Sequence, residues 1–177
     1  MAGSLIKIDE EIVTSAVASV ELGGANWDSS YDVYKVVVSN VVTDTDTKAL
    51  LFRHLDTSNN PITTANYDVA FKVLRTDTTF ENADGLGITL AYIVDNFIGT
   101  ATGEVANAVL YLFNSNNASE YTFHTVESTY RNNAGILRGA QGGGVLKSAV
   151  ATKGVSIFLT TGGNIASGKF TLYGLKK

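Results

Sequence analysis

The sequence contains no cysteine, a single proline and a single tryptophan in 177 residues. Without thiols there is neither a disulfide framework nor a thiolate metal site, so packing alone must hold the fold. Charge is scarce as well: 17% of the residues are Asp, Glu, Lys or Arg, against roughly 25% in an average globular chain. The net charge is −4 and the pI is near 5.1. Lys and Arg are scattered singly apart from Lys176 and Lys177. Nucleic acids are bound through clustered cations, so no nucleic-acid partner is expected. Long hydrophobic runs are also missing. No window approaches the roughly 18 to 20 apolar residues of a membrane-spanning helix, and no membrane insertion is expected. The stretch from Met1 to Glu11 turns acidic before the apolar core of a signal peptide could develop, which predicts synthesis in a cytoplasm without export.

What the chain does have is period-two alternation of apolar and polar residues, the pattern of strands with one buried face. The segments 12–22, 31–42, 48–56, 67–75, 88–94, 105–113, 121–126, 155–160 and 169–175 read as strands. Within them Val33, Val37 and Val41 are expected to share a face, as are Tyr67, Val69, Phe71 and Val73. The breaks carry turn chemistry, among them Gly23-Gly24, Asp44-Thr45-Asp46, Ser58-Asn59-Asn60-Pro61, Asp84-Gly85, Asn132-Asn133 and Gly162-Gly163-Asn164. Helical periodicity is almost absent, and 96–108 should hold at most one helical turn. About ten strands without a linker or a repeat predict one domain over 1–177. The expected fold is an all-β, single-domain antiparallel β-sandwich, jelly-roll-like. Sheet edges in such folds invite pairing with another chain, so a homo-oligomer is expected, with a trimer favoured.

A search for chemistry yields little. His54 and His124 lie on separate predicted strands, and neither has a second histidine or a carboxylate at ligand spacing; both read as ordinary structural or surface histidines. Asp44 and Asp46 form a D-x-D, but an EF-hand loop would continue with a third acid, a Gly and a Glu, whereas Thr47-Lys48-Ala49-Leu50 enters a strand. The run from Gly139 to Ser148 has Leu146 where a phosphate loop needs Gly before its Lys, and it reads as a flexible or closely packed loop. No catalytic residue, metal or cofactor is expected. The candidate contacts for a glycan or protein partner are Trp27, Tyr31 and Tyr34, which Tyr130 and Tyr173 could join; the competing reading is that Trp27 plugs the end of the sandwich.

The C-terminal run Gly163-Asn164-Ile165-Ala166-Ser167-Gly168-Lys169-Phe170-Thr171-Leu172-Tyr173-Gly174 resembles the ending of small bacteriophage virion structural proteins, which reads N-I-x-S-G-x-x-x-L-Y-G. Ser29-Ser30-Tyr31-Asp32-Val33-Tyr34, Val42 to Asp46 and Glu120 to Phe123 are similar to further segments of that family. Thr43 departs from it, standing where a Pro is frequent, and so does the loop from Asp56 to Thr64. The resemblance implies a last β-strand with Leu172 and Tyr173 on opposite faces, and Gly168 and Gly174 where backbones approach closely. It also implies a virion component without enzymatic activity: a capsid decoration (cement) protein, a knob or a tail-fibre tip. The first reading is decoration of the head, with the major capsid protein as partner and the virion surface as location after synthesis in the host cytoplasm. The alternative is a receptor-binding knob or tip that recognises a host-surface glycan through Trp27 and its neighbours.

Overall fold

The computed structural model describes residues 4–95 and 97–176; Asn96 and Lys177, which belong to segments read above, lie outside them. Twelve strands follow in chain order: β1 Ser4–Val13, β2 Ser19–Gly23, β3 Val33–Thr43, β4 Leu50–His54, β5 Tyr67–Arg75, β6 Glu81–Ile88, β7 Ala91–Tyr92, β8 Ala106–Phe113, β9 Thr122–Arg131, β10 Leu137–Leu146, β11 Gly154–Leu159 and β12 Ile165–Lys176. They form an eight-stranded sheet in the order β1-β12-β3-β8-β9-β10-β5-β6 and a four-stranded sheet in the order β2-β11-β4-β7, antiparallel throughout. The two sheets pack face to face, and the chain crosses repeatedly between them, giving the all-β single-domain sandwich expected.

The core lies between the sheets. Tyr34, Val36 and Val38 of β3, Leu110 and Leu112 of β8, and Phe170 and Leu172 of β12 face Leu22, Leu50, Phe52, Val155 and Ile157 of the smaller sheet. Alternation places these residues inward because successive side chains on a strand point to opposite faces. In β12, Leu172 is buried while Tyr173 points away, and a Cβ on Gly174 would lie 2.3 Å from the ring of Tyr31. The crowding at Gly174 thus comes from a side chain and not from a neighbouring backbone.

Several expectations are corrected. The segment 12–22 is not one strand: β1 ends at Val13, and the chain crosses to the other sheet before β2 begins. The strand expected at 88–94 shrinks to the two residues of β7, while the Asp84-Gly85 turn signal lies inside β6. Val33 and Val37 face outward, and Val41 faces the core. The cause is Asn40, whose φ of 53° makes a bulge between Val38 and Val41 and flips the alternation.

The run Gly139–Ser148 is not a loop. Its first eight residues belong to β10, deep inside the large sheet between β9 and β5. A Cβ on Gly142 would lie 2.2 Å from the carbonyl oxygen of Ala70, and one on Gly144 would lie 2.7 Å from Nε2 of His124. Glycine is required here by close approach. The helical turn allowed within 96–108 is absent from the described part of that segment, and the described residues contain one short 3-10 turn, Gly24–Asn26.

Candidate functional site

The outward face of the large sheet is where the molecule departs from an ordinary sandwich. An antiparallel sheet with one face on the core normally presents polar side chains on the other. Here the outward rows are Val33, Lys35 and Val37 on β3, Val109, Tyr111 and Phe113 on β8, and Phe123, Thr125 and Glu127 on β9. Gly139, Gln141, Gly143 and Val145 follow on β10, then Ala70, Lys72 and Leu74 on β5 and Asn82, Asp84 and Leu86 on β6. Phe123 is 47% exposed, Leu74 45% and Leu86 80%.

The glycines of β10 shape this face. Where Gly143 carries no side chain, a hollow of about 560 Å³ opens between Phe123, Val145, Ala70 and Leu86. Over Gly139 a second hollow, of about 480 Å³, opens between Val37, Val109, Thr129 and Leu74.

The lysines on and around this face have partners. Lys147 pairs with Asp68 at 2.9 Å, and Asp68 also accepts the Gly87 N–H at 2.7 Å. These bonds hold its carboxyl below the usual range. Lys35 lies over the ring of Tyr111 at 5.7 Å, and Lys72 donates to Asn82 at 3.1 Å while lying over Phe80. Lys169 and Lys7 flank Glu10 at 3.1 and 3.4 Å, and its carboxyl is likewise held low, first by the hydrogen bond from Lys169. A polar row, Glu127, Gln141, Lys72 and Asn82, crosses the face between the two hollows, so apolar patches and polar groups alternate over it, a mixture that protein interfaces also show.

Trp27, Tyr31 and Tyr34 do come together, at one end of the sandwich. Trp27 stacks on Tyr34 with ring centroids 3.8 Å apart, and Tyr31 meets Tyr34 edge-on at 6.1 Å. The residue that organises them is Asn116. Its Oδ1 accepts the indole N–H at 2.9 Å, and its Nδ2 donates to the Tyr31 carbonyl and to the Tyr34 hydroxyl, each at 2.7 Å. The Tyr34 hydroxyl in turn donates to the Asp28 carbonyl at 2.6 Å, and burial raises its pKa. Tyr34 is fully buried, so the cluster closes the end of the core, the plugging role weighed for Trp27. Beside it, Tyr31, Asp32, Asn114, Asn116 and Asn117 line a polar hollow of about 440 Å³.

Tyr130 and Tyr173 do not join this cluster. Tyr130 is buried near the far end of β9, where its hydroxyl donates to Asp95. Asp95 also faces Arg138 at 3.8 Å, and Glu81 bridges Arg138 and Arg75. Tyr173 lies on the outward side of β12 opposite Lys7 and Lys35.

His54 and His124, far apart in sequence, meet across the two sheets with ring centroids 5.9 Å apart. Phe52 lies edge-on to both, Tyr67 stacks on His54, and the four imidazole nitrogens have no hydrogen-bond partner. Burial pushes the His54 pKa down to about 4 and lowers that of His124, to which the charge of His54 adds. Both are neutral core side chains at neutral pH. Asp44 serves as a turn residue: its carboxylate accepts the backbone and side-chain N–H groups of Asn164, each at 2.8 Å. Among the described residues no three His, Asp or Glu side chains converge as metal ligands.

No family model matches the chain, and no curated protein is similar to it in sequence. Among solved structures, an exo-inulinase from Aspergillus awamori shares 14% identity over 97% of this chain at a TM-score of 0.41. The alginate lyase A1-II′ of polysaccharide lyase family 7 shares 9% over 89% at 0.26, and an alginate lyase from Alteromonas sp. 272 shares 14% over 89% at 0.25. The chain spans 29% of the inulinase and 66% of the first lyase. Likeness at this level carries nothing about activity.

Proposed function

We propose that this chain is a non-enzymatic structural protein of a bacteriophage virion, a decoration (cement) protein that docks on the outer surface of the head and stabilises the shell. The observation that carries the reading is the outward face of the eight-stranded sheet, where Phe123, Tyr111, Leu74 and Leu86 are exposed around two hollows floored by Gly139 and Gly143. Large apolar side chains exposed in patches on either side of a polar row mark an interaction site. The ending from Gly163 to Gly174 supports the virion assignment by resemblance. Laid on the capsid protein, this face removes apolar surface from water at about 25 cal/mol per Å², and contacts that bridge neighbouring capsomers resist the pressure of packaged genome. Purified protein mixed with undecorated heads should bind and raise their rupture temperature. Absence of both effects would overturn the reading.

A second reading rests on the polar hollow beside Tyr31, whose amide-rich lining suits sugar hydroxyls. In this reading the domain is a knob or fibre tip on which Tyr31 and Asn117 meet a host-surface glycan. Tyr31→Ala should then abolish adsorption to host cells while shell stability stays unchanged. Equal adsorption by the variant and the parent protein would dismiss it.

A further inference from the structure

The large sheet has an edge at β1, whose sole strand neighbour among the described residues is β12. Natural edges are blunted by shortness, proline, charged side chains, bulges or a covering element. Of these β1 has a bulge at Ile8 and the charges of Lys7, Asp9, Glu10 and Glu11, which the pairing below sets opposite complementary or neutral residues. β1 is ten residues long, has no proline, and leaves Leu5, Ile6 and Ile12 exposed. Its outward row is set by its register against β12. Leu5 and Lys7 stand beside Leu175 and Tyr173; after the bulge at Ile8, Glu10 and Ile12 stand beside Thr171 and Lys169. The row therefore reads apolar, cation, anion, apolar, which is complementary to itself when reversed.

We propose that β1 pairs antiparallel with β1 of a second copy across a two-fold axis perpendicular to the sheet, centred between Ile8 and Asp9. Leu5 of each copy then faces Ile12 of the other, Lys7 faces Glu10, Ile6 faces Glu11 and Ile8 faces Asp9. Residues with outward side chains meet outward ones, as cross-strand pairing demands, because the bulge falls at the centre. None of the acids Asp9, Glu10 and Glu11 meets another acid. Sliding one copy by two residues loses this: in one direction Asp9 faces Glu10, and in the other Glu10 faces Leu5 and Lys7 faces Ile8. The partner is thus a second copy in one register, and the contact is isologous, the kind that builds two-fold dimers.

The absence of cysteine makes the test direct. Leu5→Cys/Ile12→Cys should form a disulfide-linked dimer on mild oxidation, because facing residues on paired strands lie within disulfide reach. Leu5→Cys alone and Ile12→Cys alone should stay unlinked, since neither position faces itself, and mixing the two single variants should restore the link. Sedimentation at tens of micromolar should give twice 18.8 kDa, and Lys7→Glu, which sets Glu against Glu10, should weaken the dimer about tenfold. A monomer or a trimer by sedimentation, or single-cysteine variants that link as readily as the pair, would overturn the proposal. Sedimentation involves no capsid, so failure to bind heads leaves this result standing.

Discussion

The two sheets each have an outward face, and the molecule treats them differently. On the small sheet, Leu51 and Ser156 point away from the core and are nevertheless buried. Arg53 does much of the covering: its guanidinium lies 4.6 Å from the centre of the Phe158 ring, and its Nε donates to the Thr89 carbonyl at 2.8 Å. The chain's own residues close that side. On the large sheet nothing comparable crosses the centre, and Phe123, Leu74 and Leu86 remain exposed. A chain that covers one outward face from its own residues and leaves a larger, more apolar one open has surface to offer to another molecule.

The comparison can be broken most sharply at Phe123. Phe123→Glu should weaken binding to heads about 30-fold or more, the scale of an interface hot spot, with thermal stability unchanged; a stable variant that still binds normally would remove the open face from the docking role. Between the faces lies the histidine pair. In the unfolded chain His54 takes up a proton near pH 6.5, and in the fold it resists until about pH 4. The unfolded state therefore binds more protons in that window, and stability is lost as pH falls through it. From His54 alone the loss by pH 5 is about 2 kcal/mol. Denaturant titrations at pH 7 and pH 5 should show it, and His124→Leu should reduce the difference. On the closed face, Arg53→Ala should cost about 1 kcal/mol of stability and leave head binding untouched, the inverse of Phe123→Glu. Smallest, Trp27→Phe keeps the stacking on Tyr34 but removes the indole N–H from Asn116, and should cost about 0.5 to 1 kcal/mol in a chemical melt.

Much of this architecture was legible in the sequence because alternation reports directly on strands. The ends of β5 coincide with the predicted 67–75, β8 differs from its predicted range by one residue at one end, and β11 by one residue at each end. Alternation assumes an unbroken strand and cannot foresee the bulge at Asn40, which is why Val41 lies on the face opposite Val33 and Val37. It is silent on β10, where four glycines in ten residues read as a loop although the crowding of Ala70, Phe71 and His124 demands them. Of the candidate site, the association of Trp27, Tyr31 and Tyr34 was readable from their closeness in the chain. Asn116 was not, since it reaches them from the turn after β8, more than eighty residues on. The open face has no local signature because it is assembled from six strands, each contributing a few ordinary residues.

The position of β12 bears on how the protein comes to exist. This strand lies between β1 and β3, so the first-made part of the large sheet is joined to the rest by a late-made one. While residues 165–176 are still within the ribosome, β1 has no strand to pair with and β3 lacks one of its two neighbours. Pairings of such long sequence separation form slowly, so the sheet closes only after synthesis of this segment. A chain broken off early therefore leaves β1 without a sheet to join and β3 as an open edge.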